Sequence, residues 1–269
     1  MNKACGLLVA SLIFLLQACA AAPTRTVLDE RMDRSLRAGQ QAVAQDHWQR
    51  ADMAFAQAQA LARSVDDNGR WAQASLNLAW LAQRRGEDER ALLQQVITQP
   101  SVPAPLRAEA QQRQAAAALR QGDLPTAAAL LAAVEKAPAT AQWLGLKARL
   151  ALALAEPAQA RQLAQAQLAA ALTEARPSVE SANAHRLLAR LEMQAQQWPA
   201  ALSHLQQAET LDLELQDSEA LLQSLKLKSS VYLALSNAAQ AESEQQRVLA
   251  IQQAYCARFS PPWSPARCR

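Results

Sequence analysis

The sequence predicts an all-helical solenoid of about six repeated helix–turn–helix units. Composition is the first reason. Of 269 residues, 63 are Ala, 41 Leu and 33 Gln, and all three are good helix formers. Gly numbers only 6 and aromatics make up 4%, whereas strands favour β-branched and aromatic residues. Recurrence is the second. Gly or a small residue is followed five positions on by Ala, six times: Asp46 with Ala51, Gly86 with Ala91, Gly122 with Ala127, Ala155 with Ala160, Gln196 with Ala201 and Ser236 with Ala241. A fixed period of this size marks a stacked repeat. Proline placement is the third. Pro125, Pro157 and Pro199 fall in the first turns of second helices, where a missing N–H costs nothing. Pro103 and Pro105 separate units two and three, Pro138 follows unit three, and Pro177 opens unit five. A plain Ala/Leu-rich bundle is the alternative. A long coiled coil fits less well, because the punctuation interrupts its heptads. The Leu supply argues against disorder.

Taken in order, residues 1–18 read as an export leader. Lys3 supplies a positive start, and Gly6 to Leu16 form an apolar stretch of 11 residues. That is too short for a membrane span, which needs about 20, and right for a secretory signal. The segment ends Leu16, Gln17, Ala18, Cys19 and resembles the lipobox of bacterial lipoproteins, with Gln17 a mild departure. The resemblance implies cleavage before Cys19 and acylation of its thiol. More than one acyl chain gives stable anchoring. Ala20, rather than Asp, follows the Cys. In Gram-negative lipoproteins this implies the outer membrane, with the body facing the periplasm. Ordinary cleavage near Ala20, Ala21 or Ala22 is the alternative. Residues 19–29 then form a lipidated tether.

Residues 30–255 carry the repeats. A small residue stands mid-way along each first helix, at Gly39, Ala79, Ala115, Ala148, Ala189 and Ser229. Trp48 and Trp198 stand two residues past their turns. Phe55, Leu131 and Leu205 stand four after the anchoring Ala, where Gln95 and Gln245 depart, and Ala58 and Ala208 stand three beyond. Units of this kind resemble tetratricopeptide repeats. The resemblance implies a right-handed superhelix whose first helices line a concave groove. In size and repeat number the chain is architecturally similar to the six-repeat pilotins of type IV pili.

Residues 256–269 form a Pro-rich tail. Cys5 leaves with the leader and Cys19 is acylated, so Cys256 and Cys268 remain, flanking Pro261, Pro262 and Pro265. In an oxidising compartment such a pair forms a disulfide, worth about 3 kcal/mol for so short a loop. Free thiols or an intermolecular bridge are the alternatives.

Catalytic signals are absent from the sequence. No HExxH occurs, nor GxSxG, nor a P-loop, and no cofactor or metal is expected. His47 lies at a first turn, while His185 and His204 lie on the two helices of one unit and read as structural. Asp66, Asp67, Asn68 and Gly69 read as an interhelix turn, lacking the ligand alternation of a calcium loop. A net charge of +3 is too balanced to suggest nucleic acid. A cell-wall glycan enzyme, or a regulatory domain of one, would need paired acids. Glu209, Asp212, Glu214, Asp217 and Glu219 cluster, but read as a solvated face.

The implied groove register gathers a different set. Gln73, Asn77, Trp80 and Arg84, then Arg113, Arg120, Arg149, Asn183, Arg186, Arg190 and Lys226, fall on the inward face and are expected to meet solvent. Arg and amides suit carboxylates and peptide backbones, and a Trp offers an apolar anchor. The expectation is a membrane-anchored, non-enzymatic scaffold for protein or peptide partners in assembly of an envelope complex.

Overall fold

The structure is a computed structural model that describes residues 26–133, 140–173, 177–259 and 268. The leader, Cys5, Cys19, Pro138 and the tail residues Pro261, Pro262, Pro265, Arg267 and Arg269 lie outside the described residues. Among those described there are twelve helices: α1 (Val27–Ala44), α2 (Trp48–Ser64), α3 (Asn68–Arg85), α4 (Arg90–Thr98), α5 (Ala104–Gln121), α6 (Leu124–Ala133), α7 (Ala141–Ala153), α8 (Pro157–Ala171), α9 (Val179–Gln194), α10 (Trp198–Glu214), α11 (Ser218–Ala234) and α12 (Ala238–Cys256). Each helix packs on the next in sequence, and the first helices α3, α5, α7 and α9 also touch one another in turn. This is a solenoid of six hairpins, with first helices inside.

The turn residue of each hairpin explains the recurring motif. Asp46, Gly86, Gly122, Ala155, Gln196 and Ser236 all have φ between 54° and 76°. In each case the next N–H bonds back five residues, as in His47 N–H to Ala42 O at 2.8 Å and Gln197 N–H to Glu192 O at 2.8 Å. This is the Schellman closure, which satisfies the last carbonyls of a helix. A left-handed residue costs a non-Gly side chain about 1–2 kcal/mol. Gly86 and Gly122 take this position without that cost, and Asp46, Ala155, Gln196 and Ser236 bear it. Asp66 and Gln216 repeat the device between units, so the 66–69 segment is an interhelix turn, with Asp67 capping Arg70 N at 2.9 Å.

The hairpins cross where the sequence placed small residues. Ala79, Ala115, Ala148 and Ala189 are at most 1% exposed, and Ser229 is 5% exposed. Ala51, Ala127, Ala160, Ala201 and Ala241 are buried opposite them. Ala91 is not: it is exposed. The turn before α4 runs through Gly86, Glu87, Asp88 and Glu89, so α4 starts at Arg90. In the other five units the anchor is the fourth residue of its helix. In α4 the fourth residue is Leu93, fully buried, and Leu93 replaces Ala91 as the anchor.

Candidate functional site

The inner face of α3 presents Gln73, Asn77, Trp80 and Arg84 at helical spacing, Gln73 exposed and the other three half-buried. Trp80 and Arg84 are already engaged. Trp80 packs on Trp48, ring centroids 5.9 Å apart. Arg84 lies over both rings, 4.8 Å from Trp48 and 5.1 Å from Trp80. Its Nη2 donates to Tyr255 Oη at 2.9 Å and sits 3.7 Å from Glu219. Phe259 stacks on Trp48 at 5.7 Å, and Arg258 pairs with Asp46. The end of the solenoid therefore returns to its first two units. Trp80 and Arg84 form part of that junction rather than an open anchor. Cys256 and Cys268 are bonded, with Cα atoms 5.5 Å apart, and the bond ties the tail to the end of α12 beside it.

Arg186 also departs from the sequence expectation. Expected to meet solvent, it is 4% exposed. Its Nη1 donates to both carboxylate oxygens of Asp212 (2.7 and 2.6 Å) and to Ser224 Oγ at 3.2 Å, while Nη2 donates to Asn183 at 2.7 Å. Stepping by the repeat from Arg186 reaches Leu36, Leu76, Gln112 and Gly145, all buried. Apolar or small residues at three of these four positions mark the row as interior.

The acidic cluster is likewise not a solvated face throughout. Asp212 is 1% and Glu209 5% exposed. Lys228 bridges Glu209 at 2.7 Å and Glu244 at 2.8 Å, and Arg247 contacts the same two carboxylates. Asp217 caps α11, and Glu219 accepts from Tyr255 Oη. Three of the five acids, Glu209, Asp212 and Glu219, thus tie helices together. Burial holds the Asp212 carboxyl above its ordinary value, against the pull of Arg186. Lys228 and Arg247 hold Glu209 low although burial alone would raise it.

Of the remaining inner residues, Arg113 donates to Leu76 O at 2.8 Å and to Glu109 at 2.5 Å, and Arg120 pairs with Glu89. Arg149, Asn183, Arg190 and Lys226 are exposed. Six residues before the mid-helix small residue, the repeat places Gln73, Gln142, Asn183 and Gln223, all exposed. Sequence reasoning missed Gln142 and Gln223 in this row of amides.

His185 and His204 meet across the fifth hairpin, Nδ1 to Nδ1 at 3.1 Å. Burial holds both below the ordinary histidine value. The neighbouring ring adds to the effect at His185. At His204, Glu192 opposes it and Arg161 adds to it. A lowered folded value favours the neutral ring, so the stability is present above about pH 6.5 and drains away as pH falls below it. The melting temperature should therefore drop between about pH 7 and pH 5, by a few degrees more in the native chain than in His185→Gln/His204→Gln. Equal drops in the two proteins would show that the pair does not matter.

No protein-family model matches the chain, and no curated protein matches it. Solved structures do. BtubC from P. vanneervenii is 16% identical, with a TM-score of 0.55, over 88% of this chain and 96% of that one. Apo RapI is 10% identical, with a TM-score of 0.57, over 83% of this chain and 66% of RapI. The TPR-like repeats of a Podospora anserina putative kinesin light chain align at 17% identity with a TM-score of 0.38, over 85% of this chain and 95% of that one. At such identities the likeness shows the fold: a helical solenoid of paired helices.

Proposed function

We propose that this solenoid is a lipid-anchored scaffold of the bacterial cell envelope. It is held to the outer membrane through Cys19, faces the periplasm, and binds protein or peptide partners during assembly of an envelope complex such as pilus, secretion, outer-membrane or cell-wall machinery. The observation that carries the reading is the inner surface. It keeps a row of exposed amides and cations on successive first helices, while many charges elsewhere among the described residues are held in ion pairs. Extended concave surfaces of this kind suit long peptide segments and partner helices. The Leu16 to Cys19 motif supports the anchor, and the Cys256–Cys268 bond suits an oxidising compartment. The acids that a glycan hydrolase would need are tied into interhelix ion pairs, which favours a scaffold over an enzyme.

Replacing Cys19 by Ser tests the anchor. The variant is expected in the soluble periplasmic fraction, without incorporated palmitate. Labelled variant floating with membranes would overturn the anchor. Tagged mature protein, used to recover partners from solubilised membranes, tests the scaffold.

A further inference from the structure

Among the described residues, Arg149 and Arg190 on the inner surface have no anionic partner. Arg149 on α7 and Arg190 on α9 each follow the small crossing residue of their helix, Ala148 and Ala189. The repeat therefore sets them at one height on adjacent first helices. Neither makes a hydrogen bond or ion pair within the described residues. Arg70, Arg84, Arg113, Arg120, Arg161, Arg186, Arg247 and Arg258 all find partners. Both Arg149 and Arg190 are exposed. Both are held below the ordinary arginine value by burial and by like charge. Arg149 feels Arg190 and Arg120, and Arg190 feels Arg186. Crowding guanidinium groups without counter-charge is unfavourable, and a ligand bringing carboxylates would relieve it.

We infer that Arg149 and Arg190 form a short two-point track for an extended acidic segment of a partner protein. The track rests on the scaffold reading and names the chemistry of its partner. Spacing favours a peptide over a single anion. Packed helices stand about 8–10 Å apart, and an extended polyproline II chain advances about 3.1 Å per residue with three residues per turn, so every third side chain lies on one face. Carboxylates about three residues apart therefore meet successive arginines. The partner is a protein segment rather than a phosphate headgroup, because the cations are strung along a line of helices.

The experiment uses the mature chain and fluorescent nonapeptides repeating Glu-Gln-Gln, with all-Gln and Lys-Gln-Gln repeats as controls. The Glu repeat is expected to bind best, to weaken with salt, and to lose about tenfold or more in affinity in Arg149→Ala/Arg190→Ala. The melting temperature of that variant should stay close to that of the native chain, and Arg149→Glu/Arg190→Glu should prefer the Lys repeat. Equal binding of Glu and all-Gln repeats, or an unaffected double variant, overturns the track. Displacement of the Glu repeat by millimolar inorganic phosphate or by anionic phospholipid vesicles overturns the choice of a protein segment. Membrane partners recovered equally by native and double-variant protein, with no Glu-repeat binding, overturn the track and leave the scaffold standing. Glu-repeat binding without any recovered partner does the reverse.

Discussion

Asp212→Ala is expected to cost about 3–5 kcal/mol, the usual penalty for stranding one charge of a buried pair. Arg186 would keep its guanidinium between α9, α10 and α11 with only Asn183 and Ser224 to accept from it. Ser224 would lose its own acceptor, Asp212 Oδ2 at 2.7 Å. The pair itself adds little net stability. Burial raises the Asp212 carboxyl despite Arg186, so desolvation offsets much of the attraction. Hence Arg186→Met/Asp212→Leu should recover most of the loss and melt within a few degrees of the native chain. Denaturant titration of both variants decides the matter. A double variant as unstable as Asp212→Ala would mean that the ion pair is itself a large source of stability.

Phe55→Ala should cost a comparable amount, about 3–5 kcal/mol, because the ring is 1% exposed and its removal leaves a cavity. The same ring sets the sign of a second substitution. In most helix interiors Gly→Ala gains about 1 kcal/mol. At Gly39 an added Cβ would stand 2.4 Å from Phe55 Cε1. Overpacking of this kind costs about 1–3 kcal/mol, so Gly39→Ala should lower stability. In a Phe55→Ala background the clash is gone and Gly39→Ala should become neutral or favourable. A coupling energy below about 0.5 kcal/mol in that cycle would show that the two helices do not touch as described.

The parts of the fold legible in the sequence were those set by backbone geometry. Gly86 and Gly122 announced left-handed turns, and the four non-Gly turn residues followed from the same spacing. Gly39 and the mid-helix alanines marked the crossings, because nothing larger fits there. The expectation slipped where a local count was carried across an irregular turn. Four residues before α4 moved the anchor from Ala91 to Leu93. It slipped again where the partner of a polar group is distant. Arg186 reads as an exposed cation until Asp212 and Ser224 are brought to it by two further helices. Trp80 and Arg84 read as open groove until Tyr255 and Phe259 arrive from the far end of the chain, which no local period can reveal.

That arrival changes how the molecule should come apart. An open stack of repeats, each touching only its neighbours, frays from its terminal units, and its stability is a sum of local steps. Here the last hairpin and the residues just after it hold the first two units through Trp48, Arg84, Tyr255 and Phe259, with the disulfide beside them, so neither end is free to peel first. Opening must begin by breaking a contact between residues about two hundred positions apart. Amide exchange in α1 and α12 should therefore be as slow as in the middle of the chain, and the six units should melt as one cooperative body.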